Sequence, residues 1–391
     1  MRLPVVVTRL RPLPPDGQGA ARVPQDASAA LIIPQTFGLI RAMFEGVELA
    51  KALGMIGPVM ALAAVCGPVL GGVLTDTNIL GAGWRSVFGV NVPLGVAVLL
   101  VSPLIREDRS PNNPRLDLVG TVLVAVAAGL LIYPLVQGND AGWPAWTWMC
   151  MTLGVVVLAA FIRHQIEKVR RAGSTLVEPG LFRDRMFPAA MLSSLLFFAV
   201  MNGLMFVLVV FFQIGPGMSA LGAGLTMLPW SIGLAVGSWF AGAVLVPRFG
   251  ARVMRAGVVM TVLGLGSTAV LITAPAFELT WRLPAPLLVA GTGLGMFTVP
   301  FFSSALSRIA HHETGSASGL LNAVQQLGAT VGVTLLGTVF FRIARNHTTQ
   351  LASCAASGTQ LALWISSAML VAVLALTYPM LSKPRRHATV T

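Results

Sequence analysis

The chain has 391 residues, of which 55% are hydrophobic and only 10% are charged, and its formal net charge at pH 7 is +12. A water-soluble domain carries about 25% charged residues, so this composition excludes a soluble globular protein. The basic residues lie between long apolar runs, which is typical of membrane topology and argues against a nucleic-acid-binding surface.

The N-terminal part predicts a tail and three helices. Residues 1–25 form an atypical tail, rich in proline and arginine, without the apolar segment of a signal peptide. The first predicted span lies near 26–43, where the uncharged stretch is shorter than the roughly 17–25 residues that a bilayer crossing needs. The uncharged runs 52–75 and 86–105 predict the next two spans.

The span at 52–75 is unusually rich in glycine and proline. It contains Gly54, Gly67-Pro68 and Gly71-Gly72. Such residues destabilise an isolated helix in water. In a membrane bundle they let a neighbouring helix approach closely, so we expect these positions to pack against another helix.

Eight more spans are predicted along the rest of the chain. The run 186–247 has room for two crossings, separated by the turn Gly215-Pro216-Gly217. The other runs occupy 118–139, 141–162, 256–277, 283–307, 314–341 and 346–382. Continuous apolar runs favour helices over a β-barrel, so we predict an all-α polytopic membrane protein with about 11 transmembrane helices.

The basic residues predict the orientation. Most of the 26 lysines and arginines fall in alternate connectors, namely 41–51, 105–117, 163–187, 247–255, 306–315 and the tail 383–391. The other connectors hold only Arg85, Arg282, Arg342 and Arg345. The positive-inside rule places the richer set, and with it the C-terminus, in the cytoplasm.

The glycine-rich span also carries a recognisable motif. Gly54, Ala63, Gly67, Pro68, Gly71 and Gly72 follow the spacing Gly-x8-Gly-x3-Gly-Pro-x-x-Gly-Gly, with Ala63 as the departure. The segment from Trp84 to Gly95, which includes Asn91, comes next. Together they resemble the major facilitator superfamily, and within it the fourteen-helix drug/proton antiporters of the EmrB/QacA type.

The resemblance continues to residue 382. Asp117 opens a span that resembles the first of two linker helices in fourteen-helix members, and Gln213 and Asn322 lie in segments that resemble later helices. The implied fold is the major facilitator fold, divided as follows: three helices of the N-terminal bundle in 26–105, linker helices in 116–165, a cytoplasmic connector in 166–187 and a six-helix C-terminal bundle in 188–382.

The chain departs from the family pattern in two main ways. It matches the last eleven of fourteen helices, so we expect an N-terminally truncated form. Its fourth-helix motif is also altered, because Arg22 and Gln25 are kept while both glycines are replaced and Pro24 and Asp26 are added. Residues 242–252 resemble a cytoplasmic gating turn, in which Arg248, Gly250 and Arg252 are kept and Pro247 takes the acidic position.

The resemblance implies a substrate cavity at mid-membrane between two halves of the protein. Residues within the spans are its candidates: Asn91, Asn202, Gln213, Trp230, Asn322, Gln325 and Gln326. Phe198, Met201, Met205 and Phe206 are candidates for an apolar wall. The alternative is that the amides join helices through hydrogen bonds and that the bulky residues are ordinary core or lipid-facing positions.

The implied function is proton-coupled export of small lipophilic or cationic drugs or metabolites by alternating access. It needs no cofactor beyond the proton gradient, and its partners are membrane lipids and the substrate. The alternative is a non-transporting remnant, in which the missing helices abolish alternating access. Asp26 is the only acidic candidate for proton coupling near a predicted membrane segment. We expect no enzyme and no metal site, since His311-His312-Glu313 lacks a second set of ligands.

Overall fold

This computed structural model describes residues 89–101, 117–171, 179–182, 186–272, 281–306, 314–344 and 351–381, with scattered positions between 40 and 74 and at 103. Its helices are α1 Asn91–Val101, α2 Leu118–Ala141, α3 Ala145–Arg170, α4 Met186–Ile214, α5 Ala220–Thr226, α6 Leu228–Phe240, α7 Val246–Phe249, α8 Arg252–Leu271, α9 Pro284–Leu306, α10 Thr314–Ala344 and α11 Leu351–Leu381. A π-helical turn, Ala241–Leu245, joins α6 to α7, and a short 3₁₀ helix, Pro179–Phe182, precedes α4.

Eight helical segments in this part of the chain are long and apolar enough to cross a membrane. They are α2, α3, α4, the continuous stretch Ala220–Phe249, α8, α9, α10 and α11. Each lies where the sequence predicts a span. The predicted spans near 26–43 and 52–75 fall mostly outside the described residues, and α1 covers 11 residues of the third.

The helices from α4 onward pack into one bundle around an apolar core. In this bundle α4 packs against α10 and α11, α9 packs against α6 and α8, and contacts between α8 and α11 join the two groups. The core contains fully buried phenylalanines, among them Phe197, Phe212 and Phe297. Phe197 and Phe297 stack with their ring centroids 4.3 Å apart, which ties α4 to α9.

Helices α2 and α3 form a hairpin that packs against the bundle. Gly142 and Trp143, with φ of 73° and 58°, make the turn between α2 and α3. The amide of Trp143 donates to the carbonyl of Gly138 at 2.8 Å, which holds this turn in its left-handed conformation. The hairpin contacts the bundle through α2 and α10. Its outer side chains, such as Leu153 and Val156, are exposed, as expected for a surface that faces lipid.

Helix boundaries differ from the predicted ones at two places. α3 continues to Arg170, past the end of the uncharged run at 162, because Arg163 pairs with Glu167 at 3.0 Å and Lys168 reaches back to Asp117. The predicted turn at 242–252 is helical as far as Phe249. The π-helical turn ends two residues before Pro247, and the chain reverses at Gly250, which has φ of 59°.

Candidate functional site

A cavity of about 460 Å³ lies between α4, α10 and α2. It is lined by Val136, Asn202, Phe206, Ala329, Thr330, Val333, Thr334, Gly337, Thr338 and Phe341. None of these lining residues carries a charge. The lining therefore suits an uncharged, mainly apolar ligand with a few hydrogen-bonding groups.

Glycines on α4 and α10 set the position of this cavity. A Cβ added to Gly203 would lie 2.5 Å from the carbonyl oxygen of Gly332, and one added to Gly328 would lie 2.5 Å from that of Leu195. The two backbones are therefore in direct contact along one stripe, as small residues permit in membrane bundles. Larger side chains beside this stripe, such as Phe206, line the cavity.

Three threonines on one side of α10 line the cavity. Thr330, Thr334 and Thr338 are four residues apart, so they lie on one side of the helix. Thr330 donates to the carbonyl of Gln326 at 3.0 Å, as threonines in helices commonly do. The Oγ1 of Thr338 is buried and has no hydrogen-bond partner among the described residues. A buried hydroxyl without a partner is unfavourable, so Thr338 has an unused donor and acceptor at the cavity wall.

The other wall combines an amide with an aromatic pair. Asn202 lies on α4 and donates through Nδ2 to the carbonyl of Phe198 at 3.0 Å, one turn earlier. Phe206, one turn later, meets Phe341 of α10 edge-to-face with ring centroids 6.3 Å apart. The cavity therefore offers flat apolar surfaces next to polar groups, an arrangement that suits aromatic molecules with hydroxyl or carbonyl substituents.

Of the predicted cavity residues, the structure brings Asn202 to this cavity together with the predicted wall residue Phe206. Gln213 is exposed at the end of α4, and Trp230 is buried in the bundle core. Asn322 and Gln325 are half-buried and Gln326 is exposed; all three precede the cavity on α10. Asn91 lies in α1, and its side chain is outside the described part of the chain.

The other predicted wall residues pack with the core. Phe198 is buried, and Met201 and Met205 are half-buried against the same core cluster. The sequence analysis missed Thr330, Thr334, Thr338 and Phe341. The spacing of the threonines could have predicted them, since threonines four residues apart lie on one helix face. Only amides and bulky apolar residues were considered as cavity candidates.

The predicted packing motif is described only in part. Gly54 and Pro68 lie outside the described residues, as do Arg22 and Gln25, the predicted remnants of the fourth-helix motif. A Cβ added at Gly67 or Gly71 would meet no atom within 4 Å. At Gly72 it would lie 2.8 Å from the Cα of Leu221, where α5 begins. Among the motif glycines that the structure describes, Gly72 is therefore the one that packs closely against the backbone of another helix, α5.

Asp117 is the centre of a polar cluster that joins α2 to α3. Its carboxylate accepts hydrogen bonds from the amide of Gly120 at 3.0 Å and from Nε2 of Gln165 at 2.8 Å, and it pairs with Nζ of Lys168 at 2.8 Å. Nε2 of His164 lies 3.3 Å away. Burial raises the pKa of Asp117, but these contacts outweigh it and hold the pKa well below its usual range. The carboxylate therefore caps α2 as an anion and joins it to α3.

The described part of the chain contains no cluster of metal ligands. No group of three or more histidine, cysteine, aspartate or glutamate side chains there could hold a metal ion. Arg248, Gly250 and Arg252, the predicted remnants of the gating turn, are exposed around the reversal between α7 and α8.

Comparison with known proteins agrees with this architecture. The chain is 43% identical over 337 residues to the probable actinorhodin transporter of Streptomyces coelicolor, covering 86% of this chain and 58% of the relative. It is 30% identical over 323 residues to the multidrug resistance protein Stp of Mycobacterium tuberculosis, covering 82% and 58%. It is 32% identical over 326 residues to the puromycin resistance protein pur8 of Streptomyces alboniger, covering 82% and 62%.

This chain spans less than two thirds of the length of each of these three relatives. Their names indicate transport and drug resistance rather than catalysis. The sequence profile of the Major Facilitator Superfamily matches residues 19–333, which is most of the chain. With its membrane-length helices and its glycine-packed bundle, this chain therefore belongs to the major facilitator superfamily.

Proposed function

We propose that this protein exports small lipophilic compounds across the cytoplasmic membrane of a bacterium, and that the cavity between α4, α10 and α2 binds them. The observation that carries the proposal is the uncharged lining with a buried Thr338 hydroxyl that has no partner among the described residues. Relatives named for actinorhodin transport and for multidrug and puromycin resistance support the same class of substrate. Membership in the superfamily supports transport as the activity.

The lining favours neutral compounds over strongly charged ones. A cation in this cavity would find the faces of Phe206 and Phe341 but no carboxylate among the lining residues. Cation–π contacts stabilise such a ligand by only about 0.5–2 kcal/mol, less than the penalty of removing a full charge from water. Neutral aromatic molecules lose far less hydration, so they are the preferred substrates.

The proposal includes proton coupling and alternating access, as the family resemblance implies. Asp117 is unsuited to carry the proton, because four partners hold it in its charged form. Asp26, which lies outside the described residues, remains the candidate proposed from sequence. We also propose membership of the fourteen-helix branch and a cytoplasmic C-terminus, as the distribution of basic residues predicts. DNA upstream of the first codon, read for three further apolar segments, would test the branch.

The test is transport by the purified chain in liposomes with an imposed pH gradient. A neutral lipophilic dye such as Nile Red is the substrate, and variants Asn202→Ala and Gln213→Ala form a matched pair of amides on α4. Loss of one ligand hydrogen bond of about 1 kcal/mol should lower the transport efficiency of Asn202→Ala about fivefold. Gln213→Ala should transport like wild type, because its side chain lies outside the cavity.

Equal losses in both variants would contradict the assignment of this cavity. A folded wild-type chain that transports nothing under any gradient would instead favour the alternative, a non-transporting relative of these exporters.

A further inference from the structure

Three arginines surround the reversal between α7 and α8 on the outside of the bundle. Arg248 lies in α7 and is exposed, whereas Arg252 and Arg255 lie in the first turn of α8, where Arg252 is exposed and Arg255 is half-buried. Gly250, with φ of 59°, lets the chain reverse sharply between them. Arg252 and Arg255 are three residues apart and therefore neighbours on one face of the helix.

These charges have no counter-ion in the described part of the chain. No carboxylate there forms an ion pair with any of the three arginines, and Nη2 of Arg255 is buried without a hydrogen-bond acceptor. The start of α8 adds to the imbalance, because it has Ala251 at the N-cap and no acidic residue in its first turn. A helix N-terminus is itself partly positive and normally attracts anions. The cluster therefore lacks a negative charge.

The position of Arg255 places this cluster at the membrane surface. Its guanidinium lies 3.6 Å above the ring of Tyr378, which is 66% exposed at the end of the membrane-length segment Ala352–Tyr378. Tyrosines at such ends lie at the level of the lipid headgroups. The contact also fixes the guanidinium plane, so Arg255 loses little conformational freedom when it binds a ligand.

We propose that Arg248, Arg252 and Arg255 bind the phosphate of an anionic phospholipid between α8 and α11. Guanidinium groups bind phosphate through paired hydrogen bonds, and the partial positive charge at the start of α8 favours the same anion. A lipid is the preferred source of this phosphate, because the exposed ring of Tyr378 offers an apolar surface for the adjoining chains. This site is separate from the export cavity, which α4, α10 and α2 form.

The test is native mass spectrometry of the full chain in micelles that contain equal amounts of phosphatidylglycerol and phosphatidylcholine. We expect wild type to bind phosphatidylglycerol preferentially. Each arginine near an anionic lipid surface contributes enough to change binding about fivefold, so Arg252→Gln combined with Arg255→Gln should weaken phosphatidylglycerol binding about 25-fold. Binding of phosphatidylcholine should stay the same.

Arg163→Gln is the matched control, because it removes the same charge from an exposed arginine whose partner is Glu167. It should bind phosphatidylglycerol as wild type does. If the Arg255 substitution prevents folding, Arg248→Gln with Arg252→Gln changes only exposed side chains and should show the same loss. Equal affinity for the two lipids, or unchanged phosphatidylglycerol binding in that folded double variant, would overturn the proposal. Displacement of the lipid by millimolar inorganic phosphate would assign the site to free phosphate instead.

Discussion

Thr338→Val should make the protein more stable and a poorer transporter at the same time. The substitution replaces the hydroxyl of Thr338 by a methyl group of similar size. Because Oγ1 is buried without a partner among the described residues, the folded protein loses no internal hydrogen bond. If the hydroxyl had only a structural role, its removal would lower the stability of the protein. Higher stability together with poorer transport would therefore identify a hydroxyl that bonds the ligand.

The magnitude follows from the desolvation of one hydroxyl. An unpaired buried hydroxyl costs about 1–3 kcal/mol in proteins, and valine removes that penalty. Taking the lower end, the free energy of unfolding should rise by about 1 kcal/mol, which corresponds to a midpoint about 2 °C higher. For a substrate that bonds this hydroxyl, the loss of about 1 kcal/mol in the transport transition state lowers efficiency about fivefold.

Both quantities are measurable on the same preparation. The 8 tryptophans of the chain report thermal unfolding in detergent by intrinsic fluorescence, and dye transport in liposomes reports function. The matched control is Thr359→Val on α11, where the buried hydroxyl donates to the carbonyl of Ala355 at 2.8 Å. That variant should lose about 0.6 kcal/mol of stability and transport normally.

Two results would refute this reasoning. If Thr338→Val is destabilised as much as Thr359→Val, the Thr338 hydroxyl has a structural partner. If Thr338→Val is stabilised but transports every tested lipophilic dye at the wild-type rate, the cavity does not bind the substrate.

Two further substitutions test the packing of α4 on α10 and the contacts of Asp117 between α2 and α3. Gly332→Ala should lower the free energy of unfolding by about 2 kcal/mol, because its Cβ would overlap the carbonyl oxygen of Ala199. Gly266→Ala, which has room for a Cβ, should be neutral in the same thermal assay. Equal effects of the two substitutions would contradict the close packing of α4 on α10. Asp117→Asn should lower stability at pH 7 by about 3 kcal/mol, since it leaves Lys168 without its counter-ion. Because the pKa of Asp117 is lowered on folding, its contribution to stability is fully present above its ordinary pKa of about 4 and is lost as the pH falls further. If wild type were more stable than Asp117→Asn by the same amount at pH 3 and at pH 7, this reasoning would be contradicted.

The membrane-spanning helices were predictable because hydropathy is a local property. Each uncharged run from 118 onward became a helix long enough to span a bilayer, and the turn at Gly215-Pro216-Gly217 separates two of them as predicted. In a membrane every backbone group must be bonded within its own segment, so an apolar run of about 20 residues leaves little choice but a helix.

The helix ends were less predictable, because they depend on contacts between segments. α3 extends to Arg170, and Gln165 and Lys168 in its last turns bond Asp117, which is 48 residues away from Gln165. The charged residues after 162 suggested a loop when they were considered alone. Their role as partners of a buried carboxylate became clear only when α2 and α3 lay side by side.

The amino-acid sequence alone was enough to establish a helical membrane protein, its spans from 118 onward and its resemblance to the superfamily. These conclusions rest on the preference of each residue for lipid or water and on short motifs within one segment. The cavity is different, because Asn202 and Thr338 belong to helices more than a hundred residues apart and meet only through the glycine contact between α4 and α10. Which face of one helix packs against which face of another is decided by shape complementarity over the whole bundle, and no local pattern contains that information.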